Sequence, residues 1–391
     1  MKRLFLIFHG RFPSEKAASL FAAKSCEAFA KKGVDVILLV PRRFGRFSGS
    51  PYDYYKLERN FKIVFLPVVD LFFLPFSSKF SFYVSFLSFS VSSFFYLMFR
   101  LDKNSIVYSN ESLPLLFASF LSSNTFYEMH DFPESKLSLF GVFLGRIRWI
   151  LVHNRWKMER LKDLFNVNHK KLLYEPNAVE IDEFNIRLTK AEARAKLKIL
   201  QDKKIVLYTG HLYSWKGVDN LIAAAEFLDK DILIYLVGGT EKDIEKTKKQ
   251  VSENKNIVVV GNRPHSEIPC WQKSADVLVL PNTAKEKISK YYTSPMKLFE
   301  YMASGTPIVA SDLPSIREIL NENNAVLVEP DNPAELARGI KKVLGDGAPA
   351  EKISKQAFAD VQNYTWQKRA ERILEFIGRR AEAEKAAERP A

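Results

Sequence analysis

The sequence predicts an α/β chain of two doubly wound, parallel-sheet domains in tandem, and three observations carry the prediction. Short apolar runs alternate with longer amphipathic ones almost throughout, the rhythm of βαβ units. That rhythm stops once, over residues 176–203, where PNAVEIDEF and the charged stretch TKAEARAKLKIL contain no strand. The halves on either side also differ in composition. Residues 1–180 carry 25 Lys/Arg against 15 Asp/Glu, a balance of +10, and hold 26 of the 31 phenylalanines. Residues 181–391 carry 33 against 30, a balance of +3. The expected organisation is one Rossmann-like domain over 1–180 and a second over 181–365. A closing helix and tail over 366–391 can pack back on the first domain.

Taken in order, the first half offers strands at Arg3–Phe8, Val34–Val40, Lys62–Leu66, Ser105–Tyr108, Thr125–Glu128, Ile150–Val152 and Lys171–Tyr174. A helix is expected over Ser14–Lys32, opened by a serine beside an acid and closed at Gly33. Phe80–Phe99 holds 20 residues without a charge, long enough to span a bilayer. Ser81, Ser85, Ser88 and Ser92 nevertheless step along one helical face, and βαβ order resumes at once with SIVYSN. The segment is therefore expected as a buried helix of the first domain, ahead of an interfacial anchor or a true span. The second half restarts with strands at Ile205–Tyr208, Ile232–Val237, Ile257–Val260, Val277–Leu280, Pro307–Ala310 and Ala325–Val328. Arg379–Ala391, rich in Ala, Glu, Lys and Arg, is expected as a frayed helix or as unstructured. Two such sheets in tandem are expected to leave a cleft at the carboxyl ends of their strands.

Composition excludes several function classes. Cys26 and Cys270 stand far apart, with no CxxC and no Cys/His cluster, so a reducing compartment and no structural zinc are expected. The N-terminal apolar run, Leu4–Phe8, is too short for the core of a secretory leader and reads as a first strand. The basic, phenylalanine-rich half suits an anionic partner with an apolar part. A lipid surface fits better than nucleic acid, for which no motif or clustered basic stripe is present. No GxGxxG follows the first strand and no Walker A loop is found, which argues against a nicotinamide dehydrogenase.

The most informative stretch is TSPMKLFEYMASGTPIVASDLPSIRE, Thr293–Glu318. Ser294 is expected to cap a helix whose first residue is Pro295, with Met296, Leu298 and Phe299 in the core. Lys297 then lies in the first turn, where a cation opposes the helix dipole by about 0.3–1 kcal/mol unless an anion sits there. A phosphate would turn that liability into a site, and Glu300, one turn on, could accept hydrogen bonds from sugar hydroxyls. A second phosphate element is YTGHLYSWKGV, in which Gly210 and Lys216 follow a strand.

These stretches, SPMKLFEYMASGTPIVASDLPSIREI and GHLYSWKGVDNLI, together with EMHD and YEPNAVEIDEF, resemble the retaining glycosyltransferases of family 4, which have the GT-B fold. The similarity runs in family order from FHGRFPSEKA to NYTWQKRAERILEFI. It implies two Rossmann-like domains facing each other across a cleft, a nucleotide-sugar held mainly by the second and an acceptor mainly by the first. No metal at the diphosphate and no further cofactor are implied. By position, Lys216 should neutralise the diphosphate, the amides of Met296 and Lys297 should cradle it, and Glu300 should hold the ribose. His130 of EMHD should contact the donor sugar, and the loop Gly261–Pro264, with Arg263, should line the base. Gly210, His211, Tyr292 and Ser294 complete the expected donor site, and Ser14, Glu15 and Lys16 form the acceptor-side loop.

Three departures from the family pattern stand out. Tyr292 replaces a glutamate that touches the donor sugar, and His211 replaces an arginine that pairs with the lysine on the diphosphate. SEKAA at Ser14–Ala18 replaces a Gly-Gly loop. Lys287 and Lys290 are candidates to replace the missing cation. The function expected is metal-independent, retaining transfer of a sugar from a UDP- or GDP-sugar to a hydroxyl. The acceptor is expected to be lipid-linked or a polysaccharide precursor of the cell envelope, with the protein cytoplasmic or on the inner face of the membrane. Two alternatives remain open: a non-catalytic nucleotide- or partner-binding subunit, and a nucleotide-sugar epimerase.

Overall fold

The computed structural model describes residues 3–387 apart from 44, 46–48, 134, 136 and 346. Two compact units emerge: Met1–Glu175 with Trp366–Ala391, and Pro176–Thr365. The first contains a seven-stranded sheet in the order β3-β2-β1-β4-β5-β6-β7. Its strands are β1 (Arg3–Ile7), β2 (Asp35–Pro41), β3 (Lys62–Leu66), β4 (Ser105–Ser109), β5 (Thr125–Met129), β6 (Trp149–Val152) and β7 (Leu172–Tyr174). The second contains a six-stranded sheet in the order β10-β9-β8-β11-β12-β13. Here the strands are β8 (Lys204–Thr209), β9 (Ile232–Val237), β10 (Ile257–Gly261), β11 (Val277–Leu280), β12 (Ile308–Ser311) and β13 (Val326–Val328). Every pairing in both sheets is parallel.

The reason lies in the strands themselves. Runs such as Leu4–Ile7, Val277–Leu280 and Ile308–Ala310 are apolar on both faces and fully buried, so helices must cover both sides of each sheet. Strand order reverses beside β1 in the first sheet and beside β8 in the second. Loops leaving the carboxyl ends there diverge and open a crevice where ligands bind in open α/β sheets. Gly210 follows β8 directly, so the sequence places its candidate phosphate loop at that reversal.

Several local expectations change. The first helix runs over Ala17–Lys31 with Lys16 at its N-cap. Ser14 does not cap it, because its hydroxyl bonds Ser19 Oγ at 2.8 Å and its amide donates to Tyr55 Oη at 2.7 Å. The C-terminal stretch is helix from Trp366 to Ala387, which takes in most of the tail expected as a frayed helix or as unstructured, and positions 388–391 lie outside the described residues. The Ser78–Met98 helix is not buried. Ser81, Ser85, Ser90 and Ser93 face inward, while Phe80, Tyr83, Leu87, Val91 and Phe95 are exposed.

The closing helix belongs to the first unit. Trp366 meets Phe21 edge-on at 5.2 Å, and Arg372 holds Glu175 at 2.6 Å. Deeper, Arg369 donates to Glu128 at 2.5 Å, with both side chains almost wholly buried. Tyr108 Oη donates to the other Glu128 oxygen. Burial pushes the Glu128 carboxyl up, but the Arg369 charge and hydrogen bonds from His130 and His153 outweigh it and hold the group well below the usual range.

Removing one partner strands the other. Arg369→Met is expected to cost about 3–5 kcal/mol in urea unfolding, with much of the loss recovered by adding Glu128→Gln. Because the Glu128 pKa is depressed in the folded state, its stabilisation is present above the unfolded-state value and is lost on acidification. Arg369→Met removes the main attraction and leaves burial to raise that pKa, so the stability deficit of the variant should shrink on acidification, as Glu128 takes up a proton, where the parent loses stability.

Candidate functional site

The second unit concentrates positive charge at the end of β8. Lys297 is buried, and its Nζ donates to the Thr209 carbonyl at 3.2 Å while lying 3.7 Å from the Tyr208 ring centroid. Lys216 is half-buried, with its Nζ 3.7 Å from the centroid of Trp215. Among the described residues, neither ammonium is ion-paired to a carboxylate. Burial drives the Lys216 pKa down to about 7. Burial first, and the Lys216 charge second, push Lys297 well below the ordinary lysine range, with Glu300 pulling weakly the other way. Two like charges held out of water without a counter-ion are costly, and a bound anion removes the cost.

Local geometry fixes both lysines. Lys216 ends a short 3₁₀ turn, Ser214–Lys216, and Gly217 follows at φ +70°. A Cβ on Gly217 would fall 1.9 Å from the Pro281 carbonyl, so only glycine lets this turn approach the end of β11. Lys297 lies in the first turn of the helix Met296–Ser304, which has no acid in that turn and no side-chain cap. Tyr301 of the same helix accepts the Thr209 amide at 2.8 Å, so Lys297 and Tyr301 together tie the helix to the end of β8. Open amides, a positive dipole end and two ammonium groups thus meet at one strand terminus, a ready anion site.

The expected residues fall partly as foreseen. Pro295, not Ser294, is the N-cap, with extended backbone at ψ 127°. Asn177 Nδ2 donates to the Ser294 carbonyl at 2.5 Å and holds that peptide outside the helix. Met296 is only half-buried, because the first turn overhangs the core that takes Leu298 and Phe299. Gly210 adopts φ +121°, a conformation that favours glycine, and its Cα lies beside Lys297, where an added Cβ would stand 3.7 Å from Nζ. His211 stacks on Tyr213 at 4.9 Å. Tyr292 is buried in the turn Ile288–Tyr292, which packs on the Lys216 turn. Lys290 sits 5.2 Å from the Tyr291 ring centroid, and Lys287 is exposed just before the same turn. Arg263 is exposed beyond β10.

One residue escaped the sequence reading. His265 Nε2 lies 3.4 Å from Glu300 Oε1, which makes an imidazole–carboxylate pair beside the helix. The histidine two positions after Arg263 was the available signal.

In the first unit, His130 follows β5, and its Nε2 is 3.5 Å from Glu128 Oε1. His153 Nε2 is 3.1 Å from the same oxygen, and burial holds its pKa down at about 3, so it is neutral. The carboxylate and the two imidazoles gather within 4.8 Å, the spacing of a metal-ligand set. Arg369 and Tyr108 already occupy both Glu128 oxygens, so the guanidinium supplies the charge balance that a metal would bring. Lys157 Nζ donates to the Met129 carbonyl at 3.2 Å and also to that of His130, which secures this strand end. Ser14 is buried, and Glu15 and Lys16 are exposed, just before the first helix.

Residues 189–360 match the family Glycosyl transferases group 1. Over these residues the second unit resembles the group 1 glycosyltransferases. A relative is the uncharacterized glycosyltransferase MJ1607 of Methanocaldococcus jannaschii, 30% identical over 217 residues, or 53% of this chain and 54% of that one. The chain spans about half the length of the curated relatives it matches. Sucrose-phosphate synthase from Thermosynechococcus elongatus superposes with a TM-score of 0.79 at 20% identity, covering 98% of this chain and 100% of that one. Anabaena Alr3699/HepE, solved in complex with UDP-glucose, gives 0.74 at 16% identity, covering 97% and 100%. At these identities the solved structures establish the fold, which is GT-B.

The depressed lysine makes anion binding pH-dependent. Free Lys216 is largely neutral at pH 8, and a diphosphate beside it raises its pKa, so binding takes up a proton. Titration calorimetry of UDP at pH 8 in buffers of different ionisation enthalpy should therefore report uptake of up to about one proton. Affinity should fall as the pH rises above 7.

Proposed function

We propose that this chain is a group 1 glycosyltransferase that moves a sugar from a UDP- or GDP-sugar to a hydroxyl, with retention at the anomeric carbon. The observation that carries the reading is the Lys216–Lys297 pair, set without a carboxylate at the amino end of the Met296–Ser304 helix. Negative charge grows on the diphosphate as the glycosidic bond breaks. Fixed cations and amides aimed there stabilise the transition state without reorganisation. The two ammonium groups can carry the charge that a divalent ion carries in other transferases, so the proposed reaction uses no metal at the diphosphate.

Glu300 is proposed to accept hydrogen bonds from the ribose hydroxyls, oriented by His265 at 3.4 Å. His130 takes the role given by the family resemblance, contact with the donor sugar, and its position is fixed by Glu128. For retention we favour attack from the face the diphosphate leaves, with the departing phosphate oxygen taking the acceptor proton. The acceptor is proposed to be lipid-linked or a polysaccharide precursor in envelope synthesis. The basic, apolar first unit supports that choice and a site of action at the cytoplasmic face of the membrane.

Lys216→Ala should weaken UDP or GDP binding at least about tenfold, since a charged hydrogen bond contributes about 1.5–3 kcal/mol. Unchanged affinity would place the diphosphate elsewhere. His130→Ala should lower release of free sugar from a hydrolysable nucleotide-sugar by about 100-fold or more while leaving UDP affinity near the parent value. A parent protein that binds nucleotide yet hydrolyses no nucleotide-sugar favours the binding-subunit reading instead.

A further inference from the structure

We infer that the first unit docks on an anionic lipid bilayer through the outer face of the Ser78–Met98 helix and the loop before it, with the helix lying along the surface. The helix has its polarity inverted. Its serines face the protein: Ser85 Oγ is 3.0 Å from His9 Nε2, Ser92 Oγ donates to the Pro67 carbonyl at 2.7 Å, and Ser88 Oγ accepts from the Val69 amide at 3.0 Å. Phe89 and Leu97 are buried, and most of its other large apolar residues face out. Among the described residues, 13 of the 22 exposed large hydrophobic side chains fall between Val69 and Phe99. They include Phe73 at 64%, Tyr83 at 66% and Phe99 at 77% exposure.

A continuous apolar face of this size on a water-soluble surface marks an interaction site. Charge selects the partner. Between Asp70 and Arg100 the only charged residue is Lys79, and Asp70 itself is buried, 3.8 Å from Arg43. Lys79 stands at one end of the helix, and Arg100 and Lys103 stand beyond the other against one exposed carboxylate, Asp102. Apolar rings with cations at the margins match a leaflet of acyl chains under anionic headgroups. A second copy of the chain fits less well, because a two-fold contact through this face would set these cations near their own images.

The hydrogen bonds on the serine side decide the orientation. A spanning helix would have to surrender the contacts to His9, Pro67 and Val69, whereas a helix lying flat keeps them and immerses only its outer face. The inference deepens the lipid-linked acceptor reading and rests on it for its biological purpose, but its test is separate.

The test is flotation of the full chain with phosphatidylglycerol or phosphatidylcholine vesicles, with UDP affinity measured on the same samples. The parent should float with phosphatidylglycerol. Tyr83→Gln, Leu87→Gln and Phe95→Gln combined should reduce the bound fraction at least about tenfold. Lys79→Glu with Arg100→Glu should abolish the preference for anionic lipid. All these positions are exposed and lie outside the donor site, so UDP affinity should not change. Leu87→Cys carrying an environment-sensitive dye reports immersion directly, because Cys26 and Cys270 are buried. Its emission should shift to the blue with vesicles, whereas the same dye on Leu200→Cys in the second unit should not respond. Failure to float with UDP binding intact overturns the docking surface and leaves the donor site standing. Flotation without UDP binding does the reverse. Equal flotation by the triple variant, or a dimer of the parent that the triple variant dissolves, also overturns the inference.

Discussion

The second unit is organised around two neighbouring lysines, Lys297 buried and Lys216 half-buried, neither of them ion-paired to a carboxylate among the described residues. A folded chain does not keep such a pair without compensation, since burial and mutual repulsion both favour the neutral forms. Compensation here is geometric. Tyr301 and Lys297 bond the last residue of β8, Asn177 fixes the peptide before the helix, and Gly217 lets the Lys216 turn close on β11.

The first unit handles charge in the opposite way. Its buried carboxylate, Glu128, is closed on all sides by Arg369, Tyr108 and two imidazoles, so this network holds the strand end and the closing helix together. The polarity that the interior absorbs is matched by apolar surface outside. The Ser78–Met98 helix turns most of its hydroxyls to packing and several of its rings, among them Phe80, Tyr83 and Phe95, outward. One unit thus presents unsatisfied cations, and the other presents unsatisfied apolar area. Each is a local departure from the rule that polar groups face water and apolar groups face the core.

Much of this was legible in residue order. All thirteen strands appear as apolar runs, because a strand buried on both faces needs consecutive apolar residues and few other elements tolerate them. Lys297 stood out because a lysine in a first helical turn has no local justification, and Gly210 and Lys216 stood out because they follow a strand. Other features had no such signature. The pairing of His265 with Glu300, and of Arg369 with Glu128 across 241 positions of sequence, are contacts between elements remote in the chain. The cap moved from Ser294 to Pro295 because Asn177, distant in sequence, claims the Ser294 carbonyl.

The sequence by itself determined the α/β class, the two alternating blocks and the candidate lysines, because each follows from spacing or from side-chain chemistry within a short window. Tertiary structure decided which serines of the Ser78–Met98 helix turn inward, and that Arg369 of the C-terminal helix is the arginine that holds Glu128. Those outcomes depend on which element packs against which, and a hydrogen-bond donor is specified only when a distant segment brings it within reach.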